Sequence, residues 1–278
     1  MSIHSLLIPV DGSPLSASVV EAIVPMLGDR TEVTLLHVDD GEAWDDGVIA
    51  QSEAALRDRG CRVSRRDVRH DDPAGAILDV AAELSPDLVV MSTHGRSGVS
   101  RWVRGSVAER VLRGCPVPLL MVNPRTHGTS RLESVLVAID GSEVAERVLD
   151  PLLPIARAFG ARLTLLYVDF ADPTDTPTGA SKRRAARSQD VAEWLAGARA
   201  RVEEAGLEVE ICRAEGDVAH EIVEQASPDR FDLLAMSTHG RHGPGRWLLG
   251  SIAEKVLREC RLPVFLVRTG GRAERDAG

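Results

Sequence analysis

The sequence predicts an α/β fold of two tandem, doubly wound domains, each with a five-stranded parallel sheet flanked by helices. Three observations predict it. The chain contains a long internal repeat. Short apolar runs alternate with helix-length segments in both copies. Each copy also carries a glycine-rich loop between its fourth apolar run and the helix that follows.

The repeat sets the architecture, because a missed period miscalls a whole fold. LLIPVDGS at 6–13 returns as VLVAIDGS at 135–142, with Asp11 and Asp140 standing 129 residues apart. MSTHGRSGVSRWVRGSVAERVL begins at Met91 and MSTHGRHGPGRWLLGSIAEKVL begins at Met236, 145 residues on. Over 91–122 and 236–267, aligned without gaps, 19 of 32 residues are identical, which marks a duplication. The change in spacing locates about 16 extra residues in the second copy, near 171–190, a stretch rich in Pro, Thr and charge. A surface loop is the plain reading of that insertion, and a lid over the second site is the sharper one. The domains are expected at 1–124 and 133–270, joined by a polar linker at 125–132 and followed by a tail at 271–278.

Within the first copy, the nearly continuous apolar run at 5–10 predicts a strand buried on both faces of a parallel sheet. Asp11-Gly12-Ser13-Pro14 then turns into a helix, with Ser13 as N-cap and Pro14 at the first helical position. Strands are expected at 32–38, 62–68, 87–91 and 118–122, with helices at 43–59, from Pro73 to about Leu84, and at 106–113. The second copy repeats the series, with strands at 134–139, 162–168, 208–213, 232–236 and 263–267. Strands alternating with helices at this spacing imply right-handed crossovers and a parallel sheet. Ligands of such open sheets sit beyond the carboxyl ends of the strands, where the strand order reverses. Asp11 and the loop from Ser92 should both arrive there.

Composition narrows the function classes. At 278 residues, 44% hydrophobic and 27% charged, the chain reads as soluble and globular, with two cores. A net charge of −9 and only 3% aromatic residues argue against nucleic acid as partner. The four cysteines lie far apart with no Cys-x-x-Cys, so reduced structural thiols are expected rather than zinc or redox chemistry. The first apolar run is far too short for a signal peptide or a membrane span, so the expected location is the cytoplasm, with no membrane partner.

The glycine-rich loops carry the chemistry. The first reads Ser92-Thr93-His94-Gly95, nine residues, then Gly105-Ser106; the second reads Ser237-Thr238-His239-Gly240, nine residues, then Gly250-Ser251. Glycines let a backbone approach a ligand closely, and a helix N-terminus offers N–H groups and the positive end of the helix dipole to a phosphate. A second reading stands beside this one: Ser106 to Glu109 and Ser251 to Glu254 both match Ser-x-x-Glu capping boxes, which need no ligand. Asp11 and Asp140 have the same two readings, polar contact to a nucleoside or a turn at the strand–helix junction. His94 and His239 read as ordering their loops. Arg96, Arg101, Arg104, Arg241 and Arg246 read mainly as solvated charge, Trp102 and Trp247 as core, and Lys182-Arg183-Arg184 as a solvated basic run.

The loops and the strand–Asp-Gly-Ser openings together resemble the ATP-binding branch of the universal stress protein family, whose signature is Gly-x-x-Gly, nine residues, Gly-(Ser/Thr). The resemblance spans nearly the whole chain apart from the insertion and tail. It implies ATP, with Mg2+ between its phosphates, across the carboxyl edge of each sheet. Carried over by position, Pro9 and Asp11 would border the adenosine and Val38 the base, while Ser92, Gly95, Gly105, Ser106 and Val107 would line the ribose and phosphates. The second-copy counterparts are Ala138, Asp140, Val168, Ser237, Gly240, Gly250, Ser251 and Ile252. One departure stands in both copies: serine, Ser92 and Ser237, replaces the first signature glycine. The function implied is a nucleotide-dependent regulatory or stress-response protein, at most a slow ATPase; the alternative is a stress protein without nucleotide that works through protein contacts. An intramolecular pseudo-dimer joined through the fifth strands is expected, and the resemblance adds a homodimer. No Walker loop, Ser-Gly-Gly loop or His-Ile-Gly-His follows the first strand, which argues against an ATP-consuming enzyme.

Overall fold

The computed structural model of the chain describes residues 3–28, 30–41, 44–92, 107–122, 126, 131–169, 177–238 and 250–268. In the first copy β1 (Ser5–Val10), β2 (Glu32–Asp39), β3 (Arg62–Arg69), β4 (Leu88–Ser92) and β5 (Leu119–Val122) alternate with α1 (Pro14–Ile23), α2 (Asp46–Asp58), α3 (Pro73–Leu84) and α4 (Val107–Gly114). The second copy has β6 (Ser134–Ile139), β7 (Arg162–Asp169), β8 (Val209–Glu215), β9 (Leu233–Ser237) and β10 (Val264–Val267). Its helices are α5 (Glu143–Glu146), α6 (Leu149–Phe159), α7 (Pro177–Glu204), α8 (Val218–Gln225) and α9 (Ser251–Glu259).

The strands form one sheet in the order β3-β2-β1-β4-β5-β10-β9-β6-β7-β8. Within each copy every pairing is parallel, and β1 registers against β2 with Val10 beside His37. The two halves meet where β5 and β10 pair antiparallel, Phe265 opposite Leu120 and Val264 opposite Met121. The apolar runs become central strands for a simple reason: Leu7 and Ile8 are both fully buried, one on each face of the sheet. Removing such a side chain from water contributes about 2 kcal/mol. One apolar layer gathers Ile8, Ile49 and Leu56 with Val137, Leu195 and Phe265; the other gathers Leu7, Ile77 and Val111 with Leu136, Val256 and Leu266. Each layer therefore runs through both halves. The outer edge strand β3 reads RVSRRDVR, with charge along its exposed positions, as an unpaired edge requires.

Two expectations change. The insertion, read as a loop, is helical from Pro177 onward and extends α7 to 28 residues, against 13 in α2. Leu132, read as the last linker residue, is 1% exposed and belongs to the core. The remaining linker positions lie outside the described residues, Thr126 and Arg131 excepted, as does the tail.

Candidate functional site

Strand order reverses between β1 and β4, and again between β6 and β9, so the carboxyl ends of these pairs are the crevices where a ligand belongs. Asp11 leaves β1 at that point. Its Oδ1 accepts from the Ser13 N–H at 3.0 Å and from the Ser13 hydroxyl at 2.6 Å. The Ser13 Oγ in turn accepts from the Ser16 N–H at 3.2 Å and caps α1. The second copy repeats the arrangement: Asp140 Oδ1 accepts from Ser142 N–H at 3.0 Å and Ser142 Oγ–H at 2.6 Å, and Ser142 accepts from Ala145 N–H at 3.1 Å. Each aspartate thus holds the turn into the next helix, with Gly12 and Gly141 at φ of 72° and 81° between it and the cap.

The second crevice is described most fully. Ser237 closes β9 and is buried, and the next residue, Thr238, donates its N–H to the Val267 carbonyl at 3.0 Å. The Thr238 carbonyl accepts from the Gly250 N–H at 3.2 Å, which draws the start of α9 to the end of β9. The sheet register sets Met236 beside Ala138, two residues before Asp140, so Asp140, Ser237 and Gly250 converge on one edge. The capping box, one of the two readings of Ser251, does not form. Gly250, not Ser251, is the N-cap; Ser251 is already helical, and no side chain caps the helix. A glycine cap leaves the first turn of α9 without the side-chain acceptor that a Ser251 cap would supply.

A matching pair of ionic ties fixes these helices. Arg110 of α4 grips Asp72, at the N-cap position of α3, through both guanidinium nitrogens, Nη2 at 2.6 Å from Oδ2. Lys255 of α9 lies 2.9 Å from Asp217, which caps α8. The Arg110 guanidinium first, with the Gly75 N–H adding to it against a desolvation effect, holds Asp72 below the usual carboxylate range. Lys255 and then the His220 N–H do the same for Asp217.

Of the residues singled out from the sequence, Pro9 and Ala138 sit in the central strands and Val38 and Val168 are buried near the carboxyl ends of β2 and β7. Ser92 ends β4, and Val107 and Ile252, exposed apolar residues, open α4 and α9. Gly95, Gly105, Ser106 and Gly240 lie outside the described residues. So do His94, His239, Arg96, Arg101, Arg104, Arg241, Arg246, Trp102 and Trp247. Among the described residues no three His, Cys, Asp or Glu side chains gather as metal ligands, and no helix is long and apolar enough to cross a membrane.

Sequence reasoning missed one cluster beside the first crevice. His37 is 1% exposed, its Nδ1 is 3.3 Å from Asp67 Oδ1, and its ring centroid is 4.0 Å from that of Trp44. Its Nε2 is buried without a hydrogen-bond partner. Arg65 lies 5.0 Å over Trp44 and pairs with Asp46 at 2.5 Å and Asp67 at 3.1 Å. A histidine inside the apolar run EVTLLHV was the available signal.

Comparison with known proteins places these features in context. A family model described as "Universal stress protein family" matches residues 2–123 and again 132–268. A universal stress protein of Methanocaldococcus jannaschii is 30% identical over 51% of this chain and 85% of its own. One from Mycobacterium tuberculosis is 27% identical over 80% of this chain and 75% of its own. Among solved structures, a universal stress protein from Archaeoglobus fulgidus shares the fold, with a TM-score of 0.65, 21% identity and 96% of each chain covered. A putative universal stress protein from Pseudomonas aeruginosa does so with a TM-score of 0.67 and 19% identity, over 96% of this chain and 93% of its own.

Proposed function

Because the chain belongs to the universal stress protein family, in tandem form, we propose that it is an ATP-binding member acting as a nucleotide-dependent regulator, with at most slow ATP hydrolysis. The observation that carries the reading is the glycine-capped start of α9, tied through Thr238 to the end of β9 and brought to the same sheet edge as Asp140. That edge offers what a nucleotide phosphate needs: backbone N–H groups at a helix N-terminus, the positive end of its dipole, and no side chain at the cap to obstruct approach.

On this reading Gly240, Gly250, Ser251 and Ile252 receive the phosphates in the second copy, Ser237 the ribose, and Asp140, Ala138 and Val168 the adenosine. Gly95, Gly105, Ser106, Val107, Ser92, Asp11, Pro9 and Val38 take these parts in the first. Mg2+, where it accompanies ATP, is held by the phosphates. The domains are 1–124 and 132–270, acting as an intramolecular pseudo-dimer through β5 and β10, in the cytoplasm; further pairing into homodimers belongs to the same proposal. Nothing in the described residues assembles an activated water beside the turn aspartates, whose Oδ1 atoms already hold serine donors.

The test is to denature freshly purified protein and quantify released ATP and ADP by chromatography and mass spectrometry. Two nucleotides per chain are expected. Finding none, together with no thermal shift in millimolar ATP, overturns the reading. It would favour a stress protein that works through protein contacts, the outcome to which serine at 92 and 237 would then be traced.

A further inference from the structure

The two crevices are built alike at Asp11 and Asp140 but differ in what lies next to them. In the first copy, α2 enters through Trp44, the N-cap Asp45 and Asp46. This entry is fixed from three sides. Arg65 of β3 pairs with Asp46 and covers the Trp44 ring, the Trp44 ring meets the buried His37 of β2, and Asp67 bridges His37 and Arg65. The entry also presses on the candidate site. A Cβ at Gly12 would lie 2.8 Å from the Asp45 nitrogen and 3.2 Å from Trp44 Cβ, so the Trp44–Asp45 backbone is packed onto the turn that follows Asp11.

The second copy carries other residues at these positions. By strand register, Tyr167 stands where His37 does, Arg213 where Asp67 does, and Ile211 where Arg65 does. Counted back from Gly60 and Gly206, which end the two helices at positive φ, Ala192 takes the place of Asp46 and Asp190 that of Trp44.

We propose that Arg65 is a positioning residue for the first nucleotide site only, holding the Trp44–Asp45 segment against the Gly12 turn so that Asp11 is set before ligand arrives. The proposal rests on the nucleotide reading above. Its physical basis is preorganisation: a loop already ordered by a planar guanidinium forked between two carboxylates and stacked on an indole does not have to be ordered by ligand. Arg65 touches no ligand on this account; it acts through Trp44 and Asp46.

The experiment is calorimetric titration of the intact chain with ATP, with each site isolated by silencing the other through Asp140→Ala or Asp11→Ala. Arg65→Ile, which installs the second copy's residue, should weaken the first site about tenfold through the added cost of ordering the segment. It should leave the second site unchanged. Asp46→Asn, at an exposed helix start, should weaken the first site in the same direction, and Arg65→Lys should restore part of the loss because an ammonium can still reach Asp46. Unchanged first-site affinity in Arg65→Ile overturns the proposal while the nucleotide reading stands. Equal weakening of both sites also overturns it, because that is the mark of general destabilisation. A parent chain that takes up no ATP overturns the nucleotide reading, and this proposal with it.

Discussion

Gly12→Ala tests the contact on which the first crevice depends, and its cost can be assembled from the structure. Gly12 has φ of 72°, and an added Cβ would sit 2.8 Å from the Asp45 nitrogen, 3.1 Å from the Asp45 oxygen and 3.2 Å from Trp44 Cβ. The left-handed backbone alone costs an alanine about 1 kcal/mol. Forcing the methyl against backbone atoms adds about 1–3 kcal/mol, since the Asp45 segment cannot rotate away as a side-chain tip could. The stiffer unfolded chain returns about 0.4–1 kcal/mol. The net loss is about 1–3.5 kcal/mol, or roughly 4–14 °C in Tm for a domain of this size. Gly160→Ala is the control: φ is 64° there but nothing lies within 4 Å, so only the backbone part less the same unfolded-chain return, about 0–0.6 kcal/mol, should appear. The assay is urea denaturation followed by circular dichroism, both variants beside the parent chain. If Gly12→Ala costs no more than Gly160→Ala, the entry of α2 does not bear on the Gly12 turn and the reasoning fails.

Other features give further tests. Phe265, 1% exposed and opposite Leu120 where β10 meets β5, should cost about 3–5 kcal/mol when cut to alanine, and a urea shift worth less than about 1 kcal/mol would mean the junction is loosely packed. Asp72 and Asp217 are held below the ordinary carboxylate range, so the stability they contribute is present above the unfolded value of about 4 and is lost as pH falls through their lower folded values. Asp72→Asn should therefore flatten the acid limb of stability below about pH 4 and leave its slope at neutral pH unchanged; an unaltered acid limb refutes the tie. Burial pushes the Cys260 thiol up to about 11 and the Cys115 thiol upward, whereas Cys212 is half-buried. Ellman's reagent should find Cys212 as the fast native thiol and all four cysteines after denaturation; a second fast thiol contradicts the packing.

The fold was legible because its signals were redundant. Continuous apolar runs such as SLLIPV and DLVVM had only one use, as central strands, and Ser13-Pro14 fixed the start of α1. Each element was then written twice. Features that depend on a single side chain in three dimensions were less legible. Ser251 and Glu254 have the spacing of a capping box, yet the chain reaches α9 with Gly250 at the cap, its N–H donating to the Thr238 carbonyl. Composition made the insertion look like a loop, but its alanines and arginines are good helix formers and it abuts a helix that already has a nucleus to extend.

The duplication also separates what the fold requires from what each copy does with it. Asp11 with Ser13, Asp72 with Arg110, and Asp87 receiving the His4 and Ser5 N–H groups all have counterparts: Asp140 with Ser142, Asp217 with Lys255, and Asp232 receiving Glu133 and Ser134. These ties close strand ends and helix starts in both copies. The differences collect on the segment between the second and third strands. There one copy has a short helix clamped by Arg65 and the other a long helix entered through the insertion. This segment borders the carboxyl edge of each sheet without supplying its strand ends. It can therefore vary while the crevice beneath keeps its frame, and it is where a functional difference between two otherwise equivalent sites would be built.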